Sequence, residues 1–387
     1  MDSILSRRGS ELYLGGKPFR AVGVNKYDLS VQFVQGGRER DKAIQAINEA
    51  ADQGFSVIRF TPSGFFPAHL WPWGSADYWG RMDEVFSTAQ TAGIRLLPCL
   101  VGQSYLFADL AGEAVRDQIV DRDSRARQYI DLYISQFVNR YRDHEALLCW
   151  ELWCELNLGA DLEFSRPYGY EDPLSHAPEM GTAPIRIRRD NYTTEQYIPL
   201  IRELAEMVRR IDPAHLIASG HSIPRHAAQH LRLTVGDMTE DSLDEAETYI
   251  TDTHPDPIDI ITIHLYPFFS DHLRFGITDS DSASVLRLLK QICDRIGKPA
   301  ILEETGGQAF DDPTGTVPAF SRSVLEEAVA ADYPAILWWM SSLGSVEDVL
   351  RFELDKTPEL NRLLMEALDK LRKQAEAQPT LTSWSEK

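Results

Sequence analysis

The chain has 387 residues, 59 acidic and 39 basic, for a formal net charge of −20. That balance repels phosphate backbones and anionic lipid and argues against a nucleic-acid or membrane-surface partner, while 43% hydrophobic and 10% aromatic residues exclude wholesale disorder. Four cysteines (Cys99, Cys149, Cys154 and Cys293), none in a CxxC pair, are too few for a disulfide scaffold and do not form a zinc knuckle.

The N-terminal stretch MDSILSRRGSELYLGGKPF lacks the apolar region of a secretory signal, and no segment approaches the ~18 apolar residues of a membrane span. The expectation is a soluble, cytoplasmic protein. Short apolar runs then follow in chain order: Phe19–Val24, Ser56–Phe60, Arg95–Leu100, Leu147–Leu152, Leu216–Ser219, Ile258–His264, Ala300–Glu304 and Ala335–Trp339. Each is apolar on both faces, as in parallel strands covered by helices. Amphipathic stretches separate them, from DKAIQAINEAADQ to TPELNRLLMEALDKLRKQ. In ELAEMVRRI, for example, Leu204, Met207, Val208 and Ile211 share one helical face.

Eight such units predict a single (β/α)8 TIM barrel over residues 1–387, with a polar tail at 374–387. An open doubly wound sheet is disfavoured, since no GxGxxG follows the first strand. Two long connections, TPSGFFPAHLWPWGS after strand two and Leu158 to Tyr192 after strand four, fall at the C-terminal face, where barrel active sites are built. In the first, Trp71 and Trp73 either stack on sugar rings or pack the loop onto the barrel.

Two glutamates near the ends of apolar strands carry the sharpest chemistry: Glu155 in CWELWCELN and Glu304 in KPAILEETGG. A carboxylate in such a place costs several kcal/mol unless it is paired or functional. Two that converge supply the acid and the nucleophile of retaining glycoside cleavage, with carboxyls ~5 Å apart. The alternative is a structural ion pair with Arg59 on strand two. Period-two alternation places Glu151, Trp153 and Glu155 on one face and Trp150, Leu152 and Cys154 on the other, with Glu151 deeper and paired with Arg59 or another inward donor. By the same rule Glu303 and Glu304 face opposite ways. Other strand ends offer Asn25, His221, the HxY pair His264 and Tyr266, and Trp338–Trp339. Neither a GxSxG elbow nor an HExxH zinc motif is present, so the expectation is chemistry without metal or cofactor.

Taken together these motifs resemble glycoside hydrolase family 5 and, more broadly, the retaining (β/α)8 glycosidases of clan A, in order from about Gly16 to Gly344. SVIRF matches the strand-two arginine, here Arg59. WELWCEL matches WELxNE, which implies Glu155 as acid/base. TIHLYP matches the HxY strand, and KPAILEETGG looks like KPxxxEEFG with Glu304 as nucleophile. AILWW offers the strand-eight tryptophan, Trp339 rather than Trp338. The resemblance implies a retaining β-glycoside hydrolase acting on β-mannosidic or β-glucosidic oligosaccharides, with HLYP, WEL and KPxILEE closest to the β-mannanase and β-mannosidase branches. It also implies that Arg59 and Tyr266 orient Glu304 while His264 and Trp339 line the sugar subsite. Two departures stand out. Thr305 replaces an aromatic, and Cys154 replaces the Asn that binds the sugar 2-hydroxyl in the family. The thiol is a poor substitute, so another residue makes that contact, the substrate differs at carbon 2, or activity is reduced. In the last case the chain is a catalytically silent carbohydrate-binding barrel.

Overall fold

The computed structural model describes residues 4–162, 177–266, 273–278, 281–306, 319–339 and 358–377. Its central sheet consists of the strands β1 (Ala21–Asn25), β2 (Val57–Phe60), β3 (Arg95–Val101), β4 (Trp150–Trp153), β5 (Ile217–Ala218), β6 (Ile261–Leu265), β7 (Ala300–Thr305) and β8 (Ala335–Trp338). All pair in parallel, in the order β5-β4-β3-β2-β1-β8-β7-β6. A parallel bridge between Ala218 and Ile260 joins the two ends of that order and closes the barrel. Each run expected from the sequence overlaps one of these strands, and none of the strands extends more than one residue past its run.

Helices cover the outside because each presents one apolar stripe to the sheet. The helix Thr194–Ile211 buries Leu200, Leu204 and Val208, and Ser282–Ile296 buries Val285, Leu289 and Ile292. Their starts and stops are set locally. Ser75, Ser124 and Ser242 accept from backbone N–H groups of their first turns, and Gly93 and Gly297 end their helices in the left-handed region. The last helix, Pro358–Glu376, runs past Lys373, so residues 374–376 belong to it and not to a tail. Residues 378–387 lie outside the described residues.

The sequence reading missed a small antiparallel sheet of Leu5–Arg8, Glu11–Leu14 and Lys17–Pro18 ahead of β1. Its Leu5 and Leu12, with Phe19, join Val57, Leu97, Cys149, Ile260, Ile301 and Leu337 in one apolar cluster. These barrel residues lie toward the starts of their strands, so the sheet closes the N-terminal mouth. The other mouth is lined by charge.

Candidate active site

Arg59, on β2, organises that mouth. Its guanidinium is 3% exposed. Nε and Nη2 donate to the two oxygens of Glu151, both at 2.6 Å, in the bidentate geometry that suits a planar fork. Nη1 donates to Asn25 Oδ1 at 2.9 Å and to Glu304 Oε1. Burial opposes its charge, but Glu151, Glu304 and Glu303 together hold it firmly cationic. Glu151 is therefore the deep partner of Arg59 that the sequence suggested. Asn25 reaches no open space. It is 1% exposed and ties Arg59 to the backbone oxygens of Glu303 and Trp338, so it positions the network instead of contacting a substrate.

Strict alternation fails on both carboxylate-bearing strands. On β7 the register against β6 slips between Leu302 and Glu304: Leu302 pairs with Ile263 and Glu304 with His264. The extra residue is Glu303, and the bulge turns it inward beside Glu304. The expectation that the two glutamates face opposite ways is corrected. On β4 the strand ends at Trp153, whose indole packs in the outer core, and Cys154 turns inward. Its Sγ lies 3.4 Å from Arg59 Nη2 and 3.9 Å from Glu304 Oε1. Glu155 then steps off the strand at φ +52°, left-handed for a non-glycine residue, while its N–H donates to Gly220 O at 2.7 Å. Gly220 itself stands at φ +80°, and a Cβ there would meet Trp153 O at 2.3 Å. Only glycine fits this crossing.

His264, on β6, joins three carboxylates. Nδ1 meets Glu155 Oε1 at 2.9 Å, Nε2 meets Glu303 Oε2 at 3.0 Å, and Glu304 Oε2 stands 3.5 Å from Nδ1. The ring is 1% exposed, so it is a bridge below the opening and not the wall of a sugar subsite. Burial disfavours its charge, but Glu304, Glu155 and Glu303 outweigh burial and push its pKa well above the usual value. Burial likewise disfavours ionised Glu155. The hydrogen bond and charge of His264 prevail there and hold the carboxyl below its ordinary range. Tyr266 donates its hydroxyl to Glu304 Oε2 at 2.8 Å, and burial beside Glu304 and Glu155 keeps the phenol protonated. Burial and the Glu151 charge push Glu303 up to about 7.

One ligand atom each from Glu155, His264 and Glu304 lies within 4.8 Å of the others. Such a set could hold a cation, but Arg59 already places a positive charge on Glu304 and competes with one. As an arrangement of carboxylates, the pair has one held by Arg59 and Tyr266, and one 27% exposed at its side chain, facing it across the mouth.

The remaining candidates divide. Trp339 is half-buried at the end of β8 and stacks on Tyr27 at 5.6 Å, which in turn meets Phe65 edge-on at 4.7 Å. Trp338 is buried in the outer core. Trp73 packs against Tyr133 and Tyr129 of the helix Arg125–Tyr141, at 5.4 and 6.4 Å, which is the loop-anchoring role. Trp71 is 76% exposed. His221 is corrected: its ring sits between Tyr197 and His254, turned away from the carboxylates, and burial drives its pKa well down. Sequence reasoning missed Glu303 as a member of the site, Tyr27 as the partner of Trp339, and Asn157, which exchanges hydrogen bonds with Ser222 at 2.8 and 3.1 Å beside Glu155.

No family model matches the chain. It is similar to the putative mannan endo-1,4-β-mannosidase 4 of Arabidopsis thaliana, 24% identical over 57% of this chain and 52% of that one, so it spans about half of that relative's length. Mannan endo-1,4-β-mannosidase 3 of the same plant is 22% identical over 87% of this chain and 78% of its own. Mannan endo-1,4-β-mannosidase 2 of rice, Oryza sativa subsp. japonica, is 23% identical over 94% and 82%. Among solved structures, the endo-1,4-β-mannanase of Rhizomucor miehei superposes with a TM-score of 0.68 at 18% identity, covering 96% of this chain and 99% of that one. A glycoside hydrolase family 5 mannosidase of the same fungus gives 0.62 at 12% identity over 95% and 99%. The barrel fold is thus the one these structures share.

Proposed function

We propose that this chain, a barrel of the family 5 mannanase-like type, is a retaining β-glycoside hydrolase acting on β-mannosidic oligosaccharides. The observation that carries the reading is the pair Glu155 and Glu304, with carboxylate oxygens within 4.8 Å of each other at the open mouth. That spacing suits double displacement and leaves little room for the intervening water of an inverting enzyme. The plant mannosidases support the β-mannosidic substrate class, and the complex of the Rhizomucor miehei mannosidase with mannosyl-fructose supports an oligosaccharide.

Mechanism follows from which oxygens are free. Glu304 is fixed by Arg59 at Oε1 and Tyr266 at Oε2, so little reorganisation is needed before it attacks the anomeric carbon. Glu155, the more exposed of the two, protonates the departing oxygen, then takes a proton from the water that releases the sugar from Glu304. Trp339, on its Tyr27 platform, is placed to stack on the apolar face of a sugar ring. Incubation with an activated 2-fluoro-β-mannoside tests the reading. Stoichiometric labelling of Glu304 with loss of turnover is the expected result. Absence of label across a panel of sugars would favour a binding-only barrel, the reading that Cys154 motivates.

A further inference from the structure

The loop after β2 carries one ring that packing does not use. Trp71 is 76% exposed, more than any other large apolar side chain among the described residues. A single exposed apolar residue is common on a protein surface. What sets Trp71 apart is how it is mounted and what surrounds it.

The backbone is pinned on both sides of the indole. Leu70 before it is fully buried, and Trp73 after it packs against Tyr133 and Tyr129. Trp71–Gly74 forms a 3-10 turn in which Pro72 fixes one φ angle, and Ser75 N donates to Pro72 O at 2.8 Å. Ser75 then caps the helix Ala76–Ala92 by accepting from Tyr78 N at 3.2 Å. Pro67, four residues before Trp71, is braced by the β4 loop, where a Cβ on Gly181 would stand 3.1 Å from it. The indole is thus held in place while its ring stays in solvent, so little ordering remains to be lost when a ligand stacks on it.

The surroundings select the chemistry of that ligand. From Thr61 to Ala76 the chain has no Asp, Glu, Lys or Arg, although 25% of all residues are charged. Burial pushes the pKa of His69 down to about 4, against a weaker pull from Asp28, so the loop carries no charge at neutral pH. A flat apolar ring on an uncharged loop suits a neutral ligand with an apolar face, and gives nothing to a nucleic acid or a charged peptide. The loop also leads back to the mouth through aromatic contacts. Trp339 stacks on Tyr27 at 5.6 Å, Tyr27 meets Phe65 at 4.7 Å, and the adjacent Phe66 meets His69 at 5.2 Å, one turn before Trp71.

We propose that Trp71 is a remote sugar-stacking site, taking a pyranose ring of a neutral β-linked oligosaccharide whose reacting bond lies between Glu155 and Glu304. The site makes chain length part of what the barrel selects, because a short substrate fills the mouth without reaching the indole. The choice of ligand rests on the β-glycosidase reading.

The test is kcat/KM for wild type and Trp71→Ala on the series from mannobiose to mannohexaose and on phenyl β-mannoside. At this exposure the substitution removes no core packing. Wild type should gain with chain length, and Trp71→Ala should lower the ratio of the hexaose value to the phenyl value by about five-fold or more. A wild type indifferent to length, or a ratio unchanged in Trp71→Ala, overturns the site. An equal loss on every substrate does the same and assigns Trp71 to the shape of the loop. A second copy of the chain seated on the indole would appear in sedimentation as a dimer that Trp71→Ala dissolves with the ratio unchanged, and that too overturns it. Failure of the hydrolase reading looks different, since wild type then cleaves nothing in the series. Calorimetric titration with mannohexaose decides in that case. Binding weakened about five-fold or more by Trp71→Ala supports the site, whereas equal binding by both proteins, or none by wild type, overturns it.

Discussion

Glu303 and Glu304 are consecutive on β7, yet Oε2 of the first meets His264 Nε2 at 3.0 Å and Oε2 of the second takes the Tyr266 hydroxyl at 2.8 Å. Both point into the barrel because the register slips by one residue between Leu302 and Glu304. The consequence for mutagenesis is that neighbouring glutamates should fail in different ways.

Glu304→Ala should abolish turnover on every aryl glycoside, because no nucleophile remains. Glu155→Ala should keep a measurable first step with dinitrophenyl leaving groups, and azide should accelerate the release of sugar from the trapped enzyme. Burst kinetics with and without azide separate the two. Identical residual rates with no azide effect would count against this division of roles.

Much of this was legible in the chain itself. Arg59, Glu151, Glu155, Tyr266 and Glu304 were marked by being polar in apolar strands, and the structure brings them together. What was not legible was backbone geometry. Period two assigns a face to each residue only while the strand stays regular, and here it is irregular at Glu303 and at Trp153–Cys154–Glu155. The same limit explains His221 and Asn25. Each sits at a strand end as expected, but one ring turns to Tyr197 and His254, and the other amide is used up on Arg59 and backbone.

Arg59→Ala should destabilise the fold by about 3–5 kcal/mol, because it leaves Glu151 buried and unpaired. Neither side chain has solvent to fall back on, at 3% and 0% exposed. The double variant Arg59→Leu with Glu151→Leu should recover a good part of that loss, since the uncompensated charge goes with it. Denaturant unfolding of the two proteins measures both effects. If the double variant is as unstable as the single one, the ion pair does not act as a unit.

Gly220→Ala should cost about 1–3 kcal/mol through left-handed strain alone, and more once the new Cβ meets Trp153 O. Because Gly220 O accepts from Glu155 N, the acid should shift with it, so kcat should fall on leaving groups that need protonation. An unchanged thermal midpoint in a fully active variant would show that this crossing relaxes freely.

Stability should also report Glu303. Its carboxyl is raised to about 7 from the ordinary 4.5 by burial and then Glu151, so the native state binds a proton that the unfolded chain releases. A group raised in this way stabilises fully below its unfolded value, and that contribution is lost as pH rises through the folded one. Wild type should therefore lose stability between roughly pH 4.5 and 7 relative to Glu303→Gln, which has nothing to titrate there. Parallel stability profiles of the two proteins over that window would show that Glu303 is ionised throughout.

Cys154 offers the last test. Its thiol faces Arg59 Nη2 at 3.4 Å and Glu304 Oε1 at 3.9 Å, and the residue is 9% exposed, so the position looks toward the carboxylate cluster and not into the helix layer. A thiol is a weak donor and a weak acceptor. An amide of similar size accepts from Arg59 with its oxygen and leaves two N–H groups, one of which can reach a sugar hydroxyl. Cys154→Asn should then raise kcat/KM on a 2-hydroxy mannoside by about five-fold, the worth of one net hydrogen bond of ~1 kcal/mol. It should leave the 2-deoxy analogue unchanged, because the gain requires the hydroxyl. Crowding acts on both substrates alike, so an equal loss on the two assigns Cys154 to packing beside the nucleophile. Only a change confined to the 2-hydroxy substrate makes this residue a determinant of what the barrel accepts.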